Sequence, residues 1–144
     1  MTNQLKEFEE YIKQGIVKKQ SPDKPRAEFL IKESQRSYLS FLEMSKKIEL
    51  TDNNANDFIK SCHDILMEVI RAKMLLEGYN ASGYRAHEAE ISYMRVLGFS
   101  EKDIQFADQI RYFRNGMLYY GTFLDKEYAE RVIEFLKRIY LKLN

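Results

Sequence analysis

Hydrophobic residues recur along the chain at spacings of three and four residues, and polar breaks separate the stretches in which they do so. This period places apolar side chains on one side of an α-helix. Glycines, prolines and runs of Asp and Asn fall in the breaks, where such residues cap helices or begin turns. The pattern predicts five to six helices, expected at about residues 2–15, 25–49, 56–77, 82–97, 100–120 and 125–143.

The third predicted helix differs from the others because it is apolar over more than half of its circumference. A helix of this kind is covered by neighbours on several sides, so we expect it to be the central one. The segment "IVKKQSPDKP" reads as the most polar loop of the chain, and no internal repeat or second domain is visible. The sequence predicts an all-α fold, in which residues 1–144 form a single-domain, up-and-down helical bundle.

Charge and composition narrow the function classes. The 23 basic and 22 acidic residues leave a net charge of +1, whereas a dedicated duplex-binding domain carries a clear basic excess. Any contact with nucleic acid is therefore expected at a local site. The single cysteine, Cys62, excludes an intrachain disulfide and fits a reducing compartment. No apolar run suits a signal peptide or a membrane span, so we expect a cytoplasmic protein with no membrane partner.

Three polar residues interrupt the apolar faces of the fourth and fifth predicted helices. Arg114 projects between Ile110 and Ala107, inside the apolar arc of the fifth helix. His87 and Glu90 project onto the apolar face of the fourth helix, one turn apart. The short turn at "GFS" predicts that the two helices are antiparallel neighbours. Equal displacements from this turn bring Arg114 and His87 to a similar height, with Glu90 one turn away.

Two interpretations of this cluster remain open. In the first, Glu90 neutralises Arg114 in a structural ion pair and His87 forms a hydrogen bond nearby. In the second, Arg114 binds a phosphate with its planar, bidentate guanidinium group. His87 is then a general acid or base, because imidazole titrates near neutral pH. Tyr119 and Tyr120 are then candidates to stack on a nucleobase or to donate hydroxyl hydrogen bonds.

The remaining histidine is interpreted differently. His63 projects onto the broad apolar arc of the third helix, where a core histidine is the favoured interpretation. The adjacent Cys62 and His63 do not have the spacing of metal ligands, and the order of His87 and Glu90 reverses the Glu-x-x-His pattern of di-iron bundles. We therefore predict no metal site and no cofactor.

The segment "IRYFRNGMLYYG", residues 110–121, resembles the signature of HEPN domains, the all-α "higher eukaryote and prokaryote nucleotide-binding" superfamily. That signature is an Arg, commonly followed by a polar residue such as Asn, and a His four to six residues after the Arg, on a late helix. Arg114 and Asn115 match the first two positions. Residues 119–121, where the His is expected, read "YYG".

The resemblance implies a helical bundle that dimerises and brings two Arg-bearing helices together at a shared cleft. Many such domains are metal-independent ribonucleases that act as toxins, often with a minimal nucleotidyltransferase as antitoxin, and others bind RNA or nucleotides without cutting them. The resemblance assigns the phosphate to Arg114 and the role of polar neighbour to Asn115. Its missing His leaves two alternatives: a site rebuilt with His87, or a domain that binds without cleavage.

The expected function is therefore binding of RNA or a nucleotide phosphate by a homodimer, with ribonuclease activity in a toxin–antitoxin pair as an extension. The rivals are a non-catalytic interaction bundle and a helical domain that holds substrate for a separate nucleotidyltransferase. The expected catalytic residues are Arg114 and His87. The expected substrate-binding residues are Asn115, Glu90, Tyr119 and Tyr120.

Overall fold

The computed structural model describes residues 5–119 and 124–143, and residues 117–119 are described as helical backbone alone. Helices dominate these ranges, as the apolar period predicted, and the all-α bundle is confirmed. The elements in chain order are α1 (Phe8–Lys13), β1 (Val17–Lys19), α2 (Lys24–Lys47), α3 (Ala55–Leu76), β2 (Tyr79–Ala81), α4 (Ala86–Val96), α5 (Glu101–Tyr119) and α6 (Lys126–Leu143).

Helix α3 is the centre of the bundle, as its broad apolar circumference predicted. It packs against α2, α4, α5 and α6, so most of its side chains are shielded from water. Ile59, Ile70 and Met74 are completely buried. Burial of a side chain of this size contributes about 1.5–3 kcal/mol relative to exposure. The position of α3 matters for function because each of its faces meets a different helix.

A small two-stranded sheet was not predicted. β1 and β2 pair antiparallel, with Val17 opposite Ala81 and Lys19 opposite Tyr79. The expectation of a loop throughout "IVKKQSPDKP" is therefore wrong at its first residues. Strands of three residues are too short for alternation to distinguish them from a loop. Gly78 makes the pairing possible, since its φ of +83° suits glycine and a Cβ there would overlap the carbonyl of Gln20.

Two helices begin later than predicted. α4 begins at Ala86 and not at residue 82, because residues 79–81 belong to β2 and Arg85 has a φ of +68°. α1 begins at Phe8, and the chain from Leu5 to Glu7 is not helical. Arg95 explains the second difference, since its guanidinium donates to the carbonyls of Leu5 and Lys6, at 3.0 and 2.7 Å. The predicted cap Thr2 lies outside the described residues.

The helix starts of α5 and α6 follow the predicted caps. Ser100 Oγ accepts a hydrogen bond from the backbone N–H of Asp103 at 3.2 Å, and Asp125 accepts one from the N–H of Tyr128 at 2.9 Å. The predicted end of α5 at Tyr120 and Gly121 lies outside the described residues. Within residues 5–119 and 124–143, no helix combines the length and the apolar composition that crossing a bilayer requires.

Candidate functional site

A cleft of about 260 Å³ opens where α3, α4 and α5 meet, and it contains most of the polar residues that interrupt the apolar faces. We call it the Arg114 cleft. Helix α3 contributes five side chains to it, α4 one and α5 two. The lining residues are His63, Asp64, Met67, Glu68, Arg71, His87, Arg114 and Asn115.

Arg114 is one of two arginines in the cleft, and much of its hydrogen-bonding capacity is unused. Its Nε and Nη1 atoms are buried and have no hydrogen-bond partner within residues 5–119 and 124–143. Its Nη2 lies 3.9 Å from Asp64 Oδ1, and the Asp64 side chain is 60% exposed. An ion pair with so exposed a partner contributes little, because water screens it. Unpaired buried donors are costly, so this guanidinium is held in place with most of its hydrogen-bonding capacity unused.

Glu90 does not pair with Arg114, and that part of the structural interpretation is wrong. Glu90 accepts from Arg71 of α3, with Nε at 2.9 Å and Nη2 at 3.3 Å, and its side chain is 2% exposed. Burial alone would raise the pKa of Glu90. The hydrogen bonds from His87 and Arg71 together outweigh burial, so the pKa lies below its ordinary value. The carboxylate is therefore ionised and shared between two helices.

His87 is oriented by this carboxylate. Its Nδ1 lies 2.9 Å from Glu90 Oε1. Because Glu90 is ionised, Nδ1 must carry the hydrogen, and Nε2 is then free to accept or relay a proton. The predicted place of His87 inside the apolar face is wrong, since its side chain is 58% exposed. α4 begins only at Ala86, so His87 lies in the first turn, where neighbouring helices cover little of it.

His63 is buried, as the core interpretation predicted, yet it also lines the cleft. Its Nδ1 lies 3.3 Å from Asp64 Oδ1. The hydrogen bond to His63 outweighs burial and holds the pKa of Asp64 below its ordinary value, and the nearby Arg114 and His87 act in the same direction. Nε2 of His63 is buried without a hydrogen-bond partner within the described residues. The rings of His63 and His87 meet edge to face, with centroids 6.5 Å apart.

A second ionic network fixes the start of α4 next to the cleft. Glu88 accepts from Tyr11 at 2.6 Å and from Arg85 Nη2 at 2.8 Å, and Arg111 of α5 approaches it at 3.9 Å. Burial and the hydrogen bond to Glu88 raise the pKa of Tyr11 to about 12, so the phenol stays protonated. Arg85, one residue before the helix, has a left-handed backbone conformation, and the first turn that follows it carries His87.

The structure brings together some of the predicted site residues. Arg114, His87 and Asn115 line one cleft, and Glu90 lies behind His87. The side chain of Tyr119 is not described, and Tyr120 lies outside the described residues.

Sequence reasoning missed the contribution of α3. His63, Met67 and Arg71 are four residues apart and share one side of that helix. Polar residues at i and i+8 on a mostly apolar helix were the available signal.

Within residues 5–119 and 124–143, no three His, Cys, Asp or Glu side chains are grouped so as to hold a metal ion. No protein-family model matches the chain, and no curated protein or solved structure matches it either. The geometry of the Arg114 cleft and the resemblance at residues 110–121 are therefore the basis for a functional assignment.

Proposed function

We propose that the Arg114 cleft binds a phosphate group of RNA or of a nucleotide, in the manner that the resemblance to HEPN domains implies. The observation that carries the proposal is the state of Arg114, whose Nε and Nη1 are buried donors with no partner within the described residues. A guanidinium group presents its donors as a planar fork that matches two phosphate oxygens. An arriving phosphate would satisfy the donors that the fold leaves unpaired.

Two carboxyl groups of the cleft, those of Asp64 and Glu68, would repel an anion, and the surroundings weaken the repulsion from each. Asp64 is engaged by His63 and lies near Arg114, so its negative charge is partly compensated. Burial, together with the nearby Glu33, raises the pKa of Glu68, which makes its neutral form easier to reach. The α3 side of the cleft also carries Arg71. Arg71 is already bonded to Glu90, whereas Arg114 has unpaired donors. Phosphate binding is therefore favoured chiefly at the α5 side, where Arg114 and Asn115 lie.

The same proposal extends to chemistry on the phosphate. A metal-independent ribonuclease needs a cation at the phosphate and a group that transfers protons, and Arg114 and His87 have these properties. His87 would then take the part of the histidine that residues 119–121 lack. The alternative within the family, binding without cleavage, requires Arg114 alone.

Assembly belongs to the proposal as well. The resemblance implies a homodimer in which two copies of α5 meet, and a minimal nucleotidyltransferase as antitoxin partner. On α5, Tyr112 is 54% exposed and Asn115 is also exposed, and the two are three residues apart, so they share one side of the helix. An exposed Tyr on α5, next to the cleft residue Asn115, would suit such a contact. The rival, a non-catalytic interaction bundle, included an ion pair between Arg114 and Glu90, but Glu90 is bonded to Arg71 and His87 instead.

The test is binding of a fluorescently labelled pool of short single-stranded RNAs, measured by anisotropy in EDTA. Arg114→Ala should weaken binding at least tenfold. Arg26→Ala is the matched control, because it removes the same charge from an exposed position at the start of α2 and should leave the affinity unchanged. Equal affinities for the wild-type protein and Arg114→Ala would refute the proposal.

A further inference from the structure

We propose that His63 is a second proton-transfer residue of the Arg114 cleft, acting with His87 on one RNA phosphodiester. The proposal rests on the proposed function and goes beyond it, because the HEPN-like segment at residues 110–121 contains neither histidine. It names RNA as the substrate class, since the reaction described below needs a 2′-hydroxyl.

The geometry of the two rings is the first argument. Their centroids are 6.5 Å apart in the wall of one cleft that also contains Arg114. A catalytic acid or base must come within about 2.6–3.2 Å of the oxygen that it serves. Two reacting oxygens on the same phosphorus lie only a few ångströms from each other. A phosphate bound in this cleft would lie beside both rings, so each ring could serve one of the two proton transfers.

The hydrogen bonds of the rings are the second argument. Each histidine has its Nδ1 next to a carboxylate, at 3.3 Å for His63 with Asp64 and at 2.9 Å for His87 with Glu90. Each Nε2 is therefore directed away from its carboxylate. In His63 this Nε2 is buried and has no partner within the described residues, in a side chain that is only 7% exposed. A core histidine normally satisfies both nitrogens.

The reaction that such a pair supports is transesterification. His87 Nε2 takes the proton of the RNA 2′-hydroxyl, whose oxygen attacks the adjacent phosphorus. The bond from phosphorus to the 5′-oxygen breaks, and His63 Nε2 donates the proton that this oxygen needs to leave. The products are a 2′,3′-cyclic phosphate and a 5′-hydroxyl, and proton exchange with water restores both rings. Arg114 neutralises the charge that develops on the non-bridging oxygens.

The surroundings of each ring bear on which of them donates the proton. Glu90, which faces His87, also accepts two hydrogen bonds from Arg71. Asp64, which faces His63, also lies 3.9 Å from Arg114. Glu68 lines the same cleft on the α3 side. A bound phosphate adds negative charge next to both rings. We assign the acceptor to His87, whose side chain is exposed and whose Nδ1–H is fixed by the ionised Glu90, and the donor to His63.

A substrate with a modified leaving group separates the two roles. We compare cleavage of an RNA with cleavage of the same RNA in which sulfur replaces the bridging 5′-oxygen, both in EDTA. A thiolate leaves without a proton, so loss of the donor should not matter for the sulfur substrate. His63→Ala and His63→Gln, the second of which keeps a polar side chain in the core, should each slow cleavage of the oxygen substrate by about 10²–10⁴-fold. Both should cleave the sulfur substrate at close to the wild-type rate.

His87→Ala is the comparison variant, and it should be slow on both substrates because the acceptor is still needed. The proposal is overturned if the wild-type protein does not cleave RNA, if His63 variants cleave the oxygen substrate normally, or if sulfur fails to restore their rate. Binding of an RNA with a 2′-deoxy residue at the scissile position is measured in parallel. If wild type and Arg114→Ala bind this RNA equally well, the proposed function itself is refuted. If binding depends on Arg114 but no RNA is cleaved, only the role of His63 is refuted.

Discussion

His87 Nδ1 lies 2.9 Å from Oε1 of the buried Glu90, which joins the exposed first turn of α4 to the interior of the bundle. Glu90 in turn accepts two hydrogen bonds from Arg71 of the central helix. The ring that we assign to proton transfer is therefore oriented by a carboxylate that α3 fixes in place. Arg114, on α5, does not bond to Glu90 and so is not part of the group formed by Arg71, Glu90 and His87.

The two arginines of the cleft should differ in their effects on stability. Arg71→Met leaves the buried Glu90 charge without its main partner. Such a loss costs about 3–5 kcal/mol, and we expect the lower end because Arg71 is itself 29% exposed. Arg114→Met removes unpaired buried donors, so it should cost little or stabilise the fold. Urea unfolding at pH 7 measures both free energies of unfolding. A loss for Arg114→Met as large as that for Arg71→Met would show that Arg114 has a structural role.

The ion pair between Asp103 and Arg138 should stabilise the protein in a pH-dependent way. Arg138 donates to Asp103 at 2.7 and 3.1 Å, and this bonding holds the pKa of Asp103 below its ordinary 3.8 in spite of partial burial. A lowered pKa contributes stability above the unfolded value, and that contribution is lost as the pH falls through the folded value. Asp103→Asn should therefore be less stable than wild type at pH 7.

The difference between Asp103→Asn and wild type should shrink steadily as the pH is lowered from about 4 to about 2, because the wild-type carboxyl becomes protonated. Thermal unfolding across this range measures it. A difference that is the same at pH 7 and at the acid end would mean that the carboxylate charge contributes nothing and that only the shape of the side chain matters.

Two glycines with similar backbone angles should respond differently to alanine. Gly78 has a φ of +83° and Gly83 a φ of +78°, so each Ala variant is strained by roughly 1 kcal/mol. A Cβ at Gly78 would in addition overlap the carbonyl of Gln20, whereas at Gly83 it meets nothing within 4 Å. Gly78→Ala should be clearly less stable than Gly83→Ala in chemical denaturation. Equal losses would indicate that the chain near Gln20 moves aside freely.

The sequence predicted the helices well because each of them satisfies a local rule. The apolar period placed α2, α3 and α6 to within a few residues, and Ser100 and Asp125 marked helix starts that the structure confirms. The later starts of α1 and α4 depend on contacts between distant residues. Arg95 bonds to the carbonyls of Leu5 and Lys6 across some ninety positions, and no local pattern contains that information.

The candidate site was predicted only in part, for a related reason. Helical projection placed Arg114 and Glu90 on inward faces, but it cannot say which neighbour a side chain meets. Arg71 reaches Glu90 from α3, a helix whose contribution to the cleft the projection of α4 and α5 did not include. His63 looked like one more core residue because most of its own helix is buried.

The central claim is that Arg114 binds a phosphate of RNA, and the salt dependence of binding tests it most directly. Each phosphate contact on a single strand releases counterions and contributes about 0.7 to the slope of log K against log salt. The account predicts that Arg114→Ala binds RNA at least tenfold more weakly and with a slope reduced by about this amount, while Arg26→Ala changes neither. An unchanged affinity and slope for Arg114→Ala would contradict it.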